Sequence, residues 1–203
     1  MAGDPVDIVV VDDNEVLLSV LTEILGECGY SVRTASDGLG ALSEIRERMP
    51  EMLLSDLNMP RMSGFELLSI VRRRYPRIKV VAMSGSYSGQ GVPSGVAADA
   101  FYEKGATSVA RLLQIVAAMK DASESRWARV STPIWIPRWR FDAENRSNAS
   151  FACPECLGAY SYSIDETDRV HHRDCPYCQY RMQLAIVPIE TEMDRRSLIC
   201  FNS

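Results

Sequence analysis

Long apolar runs are missing from this 203-residue chain: none approaches the roughly 20 consecutive apolar residues that cross a bilayer. That argues against a membrane partner. Also missing is a basic stretch ahead of an apolar segment at the N-terminus, where Asp4 and Asp7 stand instead. No secretory leader is therefore expected, and the cytoplasm is the expected location. Clustered positive charge is scarce too. Residues 1–121 hold 16 acids against 12 Lys/Arg, residues 122–150 hold 3 against 5, and residues 151–203 hold 8 against 5. Neither end offers the concentrated Lys/Arg that neutralises nucleic-acid phosphates, which counts against DNA as a partner. Tryptophan is absent before Trp127, and the other two are Trp135 and Trp139. No internal repeat or low-complexity tract occurs. The remainder, 46% hydrophobic and 24% charged, is the composition of a soluble globular protein with room for one ordinary domain and a small appendage.

The apolar runs that are present are short, and each ends in a polar group. Val9-Val10-Val11 leads into Asp12-Asp13, Leu53-Leu54-Ser55 into Asp56, Val80–Met83 into Ser84, and Ala100–Glu103 into Lys104. Such runs, with helical patterns between them, read as buried strands of a parallel sheet. In these sheets the carboxyl ends of the strands share one edge, and ligands bind there. The pattern thus places three carboxylates, a hydroxyl and an ammonium in one crevice, a set suited to a divalent cation and a phosphoryl group.

Residues 7–121 read as five strand–helix units. The first helix is expected from Glu15 to Cys28, with Val16, Val20, Leu21, Ile24 and Leu25 on its apolar face and Gly29 ending it. Cys28 is expected to pack at its end. A second helix runs from Gly38 to Met49, and a third, with Phe65, Leu68 and Val71 inward, runs to Tyr75. The fourth should be short or irregular, because Gly85, Gly89, Gly91, Pro93 and Gly95 crowd the stretch. The fifth starts near Thr107 and places Val109, Leu112, Leu113 and Val116 on one face. Residues 122–150 read as a Pro/Trp-containing linker. Pro133 and Pro137 favour an extended chain around Ile134, Trp135 and Ile136, which is expected to dock on a folded domain.

On these residues the stretch 7–121 resembles the receiver domain of a two-component response regulator, similar to the chemotaxis regulators. The resemblance implies a flavodoxin-like α/β fold, a five-stranded parallel sheet with helices on both faces. It implies that Asp56 is the phosphoacceptor, Asp12 and Asp13 the acidic pair, Ser84 the switch hydroxyl, Lys104 the conserved lysine and Phe101 the switch aromatic. Mg²⁺ would be held by Asp13 and Asp56 directly, by Asp12 partly through water, and by the backbone carbonyl of Asn58. Asp56, Lys104 and Ser84 would carry the phosphoryl chemistry, with a sensor histidine kinase or phosphotransfer protein as donor. No enzymatic activity beyond self-phosphorylation and autodephosphorylation at Asp56 is expected. The output surface implied is the face of the fourth helix, fifth strand and fifth helix, and a homodimer would form through the fourth- and fifth-helix face. One departure stands out: Gly105 follows Lys104 where the family usually has proline.

At the other end, Cys153-Pro154-Glu155-Cys156 and Cys175-Pro176-Tyr177-Cys178 form C-x₂-C-x₁₈-C-x₂-C. Each C-x₂-C turn supplies two thiolates, and four complete a tetrahedral Zn²⁺ site. Residues 151–190 are read as a small β-rich zinc ribbon and residues 191–203 as a tail containing Cys200. The ribbon should form from a strand at Tyr160–Ile164, a turn at Asp165–Asp168, a return at Val170–His172 and a third strand at Arg181–Val187. Too small to fold on apolar burial alone, it would draw much of its stability from metal. The competing uses of the cysteines are disulfides, a Cys-Pro-Tyr-Cys redox site, and iron in a rubredoxin-like site; His171 or His172 could also replace one ligand. Two outputs are expected in order. The first is a phosphorylation-controlled ribbon that binds another protein, favoured by its negative charge. The second is a transcription regulator whose ribbon and linker arginines (Arg126, Arg129, Arg138, Arg140, Arg146) contact DNA or the transcription machinery. No helix-turn-helix pattern follows residue 121, which weakens the second reading.

Overall fold

The computed structural model describes residues 5–87, 91–93, 95–121, 133–137, 146–165 and 170–187. Its first unit contains β1 (Asp7–Val11), α1 (Glu15–Glu27), β2 (Ser31–Ala35), α2 (Gly38–Glu47), β3 (Met52–Asp56), α3 (Gly64–Arg74), β4 (Lys79–Ser84), β5 (Ala100–Glu103) and α4 (Val109–Asp121). The five strands pair in parallel in the order β2-β1-β3-β4-β5. This is the expected flavodoxin-like sheet. Successive strand residues point to opposite faces, so Ile8, Val10, Met52, Leu54, Val81 and Met83 pack against α1 and α4. Val9, Val11, Leu53, Val80 and Ala82 face the other way, toward α2 and α3.

Two local expectations change. In α1 the buried residues are Leu18, Leu21 and Leu25, while Val16 is 73% exposed and Val20 is 41% exposed. The apolar stripe is therefore rotated by about a quarter of a turn from the expected one, because the packing phase is set by the sheet beneath it. Cys28 caps this helix and is exposed instead of packed. Among the described residues, none between β4 and β5 is helical, so the fifth expected helix is α4.

The space beside α3 is taken by the cysteine-bearing unit. That unit comprises β6 (Ile134–Ile136), β7 (Arg146–Ala152), β8 (Ala159–Asp165), β9 (Val170–Asp174) and β10 (Arg181–Ile186). Strand β6 lies in the stretch read as a linker, and β7 begins there and runs into the stretch read as the ribbon. Strand β10 lies between β6, to which it is parallel, and β9, to which it is antiparallel; β7 and β8 form a separate antiparallel pair. The return strand thus pairs with β10 and not with β8. Trp127, Trp139, Arg126, Arg129, Arg138, Arg140 and Cys200 lie outside the described residues, as does the side chain of Arg146.

One apolar cluster runs through both units. It joins Phe65, Leu68 and Val71 of α3 to Ile134, Ile136, Phe151, Leu184, Ile186 and Val187 of the second unit. As a result every residue of α3 from Gly64 to Arg72 is buried. A helix covered by the sheet on one side only would leave a polar face in water; α3 has none over this span. Arg72 lies inside, 2% exposed, donating to the carbonyls of Ala97 and Ile78, each at 2.9 Å, and to the carboxylate of Asp99. Asp99 also accepts the Val80 N–H at 2.8 Å, so this ion pair pins the approach to β5 in place of a helix. Trp135 is half-buried against the common cluster, as its position between two prolines leads one to expect.

Candidate functional site

The register of the sheet brings the sequence-predicted residues to one edge. Val11 pairs with Ser55, Asp56 with Met83, and Ser84 with Glu103, so Asp12, Asp56, Ser84 and Lys104 stand at adjacent strand ends. The Lys104 ammonium lies 2.6 Å from Asp56 Oδ1 and 2.9 Å from Asp12 Oδ2. Both carboxylates are nearly sealed from water, with side chains 4% and 1% exposed. Asp13 sits beside them in solvent. Asn14 donates its backbone N–H to Asp12 Oδ1 at 3.0 Å and caps α1, which fixes the turn after β1.

Asp56 is held from two sides. The Asn58 backbone N–H donates to its Oδ2 at 2.8 Å, while Lys104 takes Oδ1. Burial nevertheless pushes its carboxyl up to about 6, with the Asp12 charge adding to the rise and Lys104 opposing it. For Lys104, burial disfavours the charged form, but Asp56 and Asp12 outweigh it and hold the ammonium above the ordinary lysine range. Ser84 is fully buried, and its Oγ accepts the Ser86 N–H at 3.1 Å. Phe101 is buried in the cluster on the α2 and α3 side. Gly105, at φ +81°, makes the turn after Lys104 in a left-handed conformation that proline cannot adopt.

The donors at this edge suit a hard cation. The Asn58 Oδ1 atom is buried and has no hydrogen-bond partner, while its Nδ2 donates to Ser86 Oγ at 3.0 Å. An orphaned acceptor beside two buried carboxylates is a set that an oxygen-seeking ion such as Mg²⁺ satisfies. Sequence reasoning placed Asn58 here for its carbonyl and missed the Asn58–Ser86 bond, which joins the loops after β3 and β4.

The four cysteines also meet. Their Sγ atoms all lie within 4.8 Å of one another, with Cys153–Cys178 and Cys156–Cys175 each at 3.7 Å. Zn–S bonds of about 2.3 Å in a tetrahedron require sulfur–sulfur edges of about 3.8 Å. The two knuckles share one backbone pattern. Cys153 N–H donates to Gly158 O, and Cys175 N–H to Tyr180 O; Leu157 and Gln179 take positive φ at matching positions. Backbone N–H groups of Glu155, Gly158 and Tyr177 point at Cys153, Cys156 and Cys175 sulfurs at 3.4 Å; at Cys153 they oppose the burial that pushes its thiol up to about 12. His171 and His172 lie on β9, outside this group of four.

What sequence reasoning missed is the grip of α3 on these knuckles. Arg73 Nη1 donates to Tyr180 Oη at 2.9 Å, and Arg74 Nη1 donates to the carbonyls of Pro154, at 3.1 Å, and Glu155. The signal was the run Arg72-Arg73-Arg74, which by itself reads as a helix end complementing its dipole.

Comparison with known proteins agrees with this geometry. Residues 8–103 match the response regulator receiver domain family. The nitrogen assimilation regulatory protein NtrX of Azorhizobium caulinodans is 43% identical over 81 residues, which is 39% of this chain and 18% of that protein. The transcriptional regulatory protein ZraR of Klebsiella oxytoca is 38% identical over 84 residues, which is 41% of this chain and 19% of that protein. The chain thus spans under a fifth of the length of these relatives. Among solved structures, the receiver domain of NtrX from Brucella abortus is 28% identical with a TM-score of 0.51, covering 58% of this chain and all of that one. The response regulator TrrA of Thermotoga maritima, solved in complex with Mg²⁺ and BeF, is 28% identical with a TM-score of 0.52, covering 56% of this chain and 98% of that one. By the family match and by its likeness to these solved proteins, the five-stranded unit of this chain is a response regulator receiver domain.

Proposed function

We propose that the chain is a phosphorylation-controlled response regulator of a two-component phosphorelay, phosphorylated on Asp56 and signalling through its four-cysteine unit to a protein partner. The observation that carries the reading is the Lys104 ammonium held between Asp56 and Asp12 at the sheet edge. An Asp56 carboxylate oxygen forms the new bond to phosphorus. The phosphorus–nitrogen bond of a phosphohistidine breaks, and the imidazole leaves with its electron pair; a small acyl phosphate loses its carboxylate in the same way. Lys104 offsets charge on the phosphoryl oxygens, and Ser84 turns its hydroxyl toward one of them while Phe101 takes up the space left. Mg²⁺, held by Asp12, Asp13, Asp56 and Asn58, would neutralise the clustered oxygens and orient the phosphoryl group. The chain would have no further catalytic activity and would work in the cytoplasm, its donor being a sensor histidine kinase or phosphotransfer protein.

Zinc is the metal that the cysteine geometry favours, as a structural centre with all four positions filled by thiolate. A protein target is preferred to DNA because four thiolates on Zn²⁺ add negative charge to an already acidic segment. Labelling with acetyl phosphate tests the core of the reading: wild-type chain should gain an acid-stable, base-labile phosphoryl group, and Asp56→Asn should gain none. Undiminished labelling of that variant would refute the assignment.

A further inference from the structure

We infer that α3 is a coupling rod, through which occupancy of Asp56 by a phosphoryl group and occupancy of the four-cysteine centre by zinc are thermodynamically linked. The inference rests on the phosphorylation and zinc readings above and adds the connection between them.

The two ends of α3 touch the two sites. At its start, Gly64 N–H donates to Leu57 O at 3.0 Å, and the helix is locked by the Ser63–Glu66 capping box. A Cβ on Gly64 would stand 2.1 Å from the Asp56 carbonyl oxygen, so helix backbone and phosphoacceptor backbone are in direct contact. At its end, Arg73 holds Tyr180, whose carbonyl closes the second knuckle, and Arg74 holds Pro154 and Glu155 within the first. Between them, Ser69 Oγ accepts the Trp135 N–H at 3.2 Å and ties β6 to the middle of the helix. Eleven residues of α-helix span about 16 Å.

Burial makes this connection stiff. No face of the helix from Gly64 to Arg72 is open to solvent, and a close-packed element shifts as a body. A second contact runs in parallel. The chain after Ser84 passes Gly95, at φ +74°, where a Cβ would meet Val187 and Trp135 side-chain atoms at 3.3 and 3.4 Å. Gly95 thus gives the second unit another point of contact with the five-stranded unit. Because linkage is reciprocal, a phosphoryl mimic must change zinc affinity by the same factor by which zinc changes affinity for the mimic.

The test uses the full chain, with zinc content measured first. Equilibrium competition against a chromophoric chelator gives zinc affinity with and without Mg²⁺ and beryllofluoride, and tryptophan emission gives beryllofluoride affinity with and without zinc. A shift of about fivefold or more, equal in both directions, is expected. It should vanish in Asp56→Asn. It should fall below about twofold in Arg73→Ala/Arg74→Ala and weaken in the milder Tyr180→Phe, both still binding zinc and beryllofluoride. Zinc affinity unchanged by bound beryllofluoride would overturn the inference alone. A chain that binds no zinc, or no beryllofluoride, would overturn the corresponding reading and the inference with it.

Discussion

Lys104 Nζ lies 2.6 Å from Asp56 Oδ1, yet burial still leaves the Asp56 carboxyl with a value near 6 instead of 3.8. Desolvation therefore outweighs the attraction of a neighbouring ammonium. The pair is poised, and a further cation at the edge shifts it toward the charged carboxylate that phosphorylation needs.

The first prediction is a pH dependence. Because the folded value is raised above the unfolded one, this group's contribution to stability is full below pH 3.8 and is lost as pH rises through about 6. The loss amounts to at most about 3 kcal/mol. Urea unfolding of Mg²⁺-free protein between pH 4 and 7 should show this slope, and Asp56→Asn should flatten it. Added Mg²⁺ should stabilise the wild type most above pH 6. An unchanged slope in the variant would mean that another group dominates.

Gly64→Ala should damage the receiver more than a methyl group usually does. The new Cβ meets the Asp56 carbonyl oxygen at 2.1 Å and Leu57 Cα at 2.8 Å, and neither backbone atom can swing aside. We expect a loss of about 3 kcal/mol, the upper range for overpacking, together with slower acetyl-phosphate labelling. Wild-type values for both in denaturation and labelling assays would show that the helix and loop part easily.

Arg72→Met should remove the donors to Ala97 and Ile78 and take the guanidinium from Asp99, whose side chain is 9% exposed. Breaking a buried pair from one side costs about 3–5 kcal/mol. Adding Asp99→Asn should recover part of that, because the uncompensated charge is gone. Equal stability of the single and double variants in urea would argue that the pair adds nothing beyond packing.

Metal removal should unfold the second unit while leaving the five-stranded sheet. Cys153 is fully buried at the cluster, so Cys153→Ser should bring zinc below about half an equivalent per chain. Near-ultraviolet circular dichroism should lose the signal of the packed Phe151, Tyr160, Tyr162 and Tyr177 rings, whose centroids lie 5.1–6.3 Å apart. Retention of both zinc and that signal would count against a four-thiolate centre.

The candidate site at the sheet edge was legible because its code is local. Each strand is a run of four to six residues, four of the five carry a site residue at their last position or just past it, and a parallel sheet aligns those ends wherever the strands sit. The knuckles were legible for the same reason, since C-x₂-C places two sulfurs by a single turn. Helix phase was less so: Val16 and Val20 share a stripe with Leu21, but the sheet accepts Leu18, Leu21 and Leu25 instead.

The sequence by itself determined the strand ends, the parallel architecture and the cysteine pairs, because short-range spacing dictates each of them. Only the tertiary structure decided that the second unit covers α3, that β9 pairs with β10, and that Arg72 is buried while Arg73 and Arg74 hold the knuckles. Those outcomes depend on which apolar surfaces meet across scores of residues. An arginine run reads the same in water or in a core until its partners, Asp99, Tyr180 and the carbonyls of Pro154 and Glu155, are brought to it.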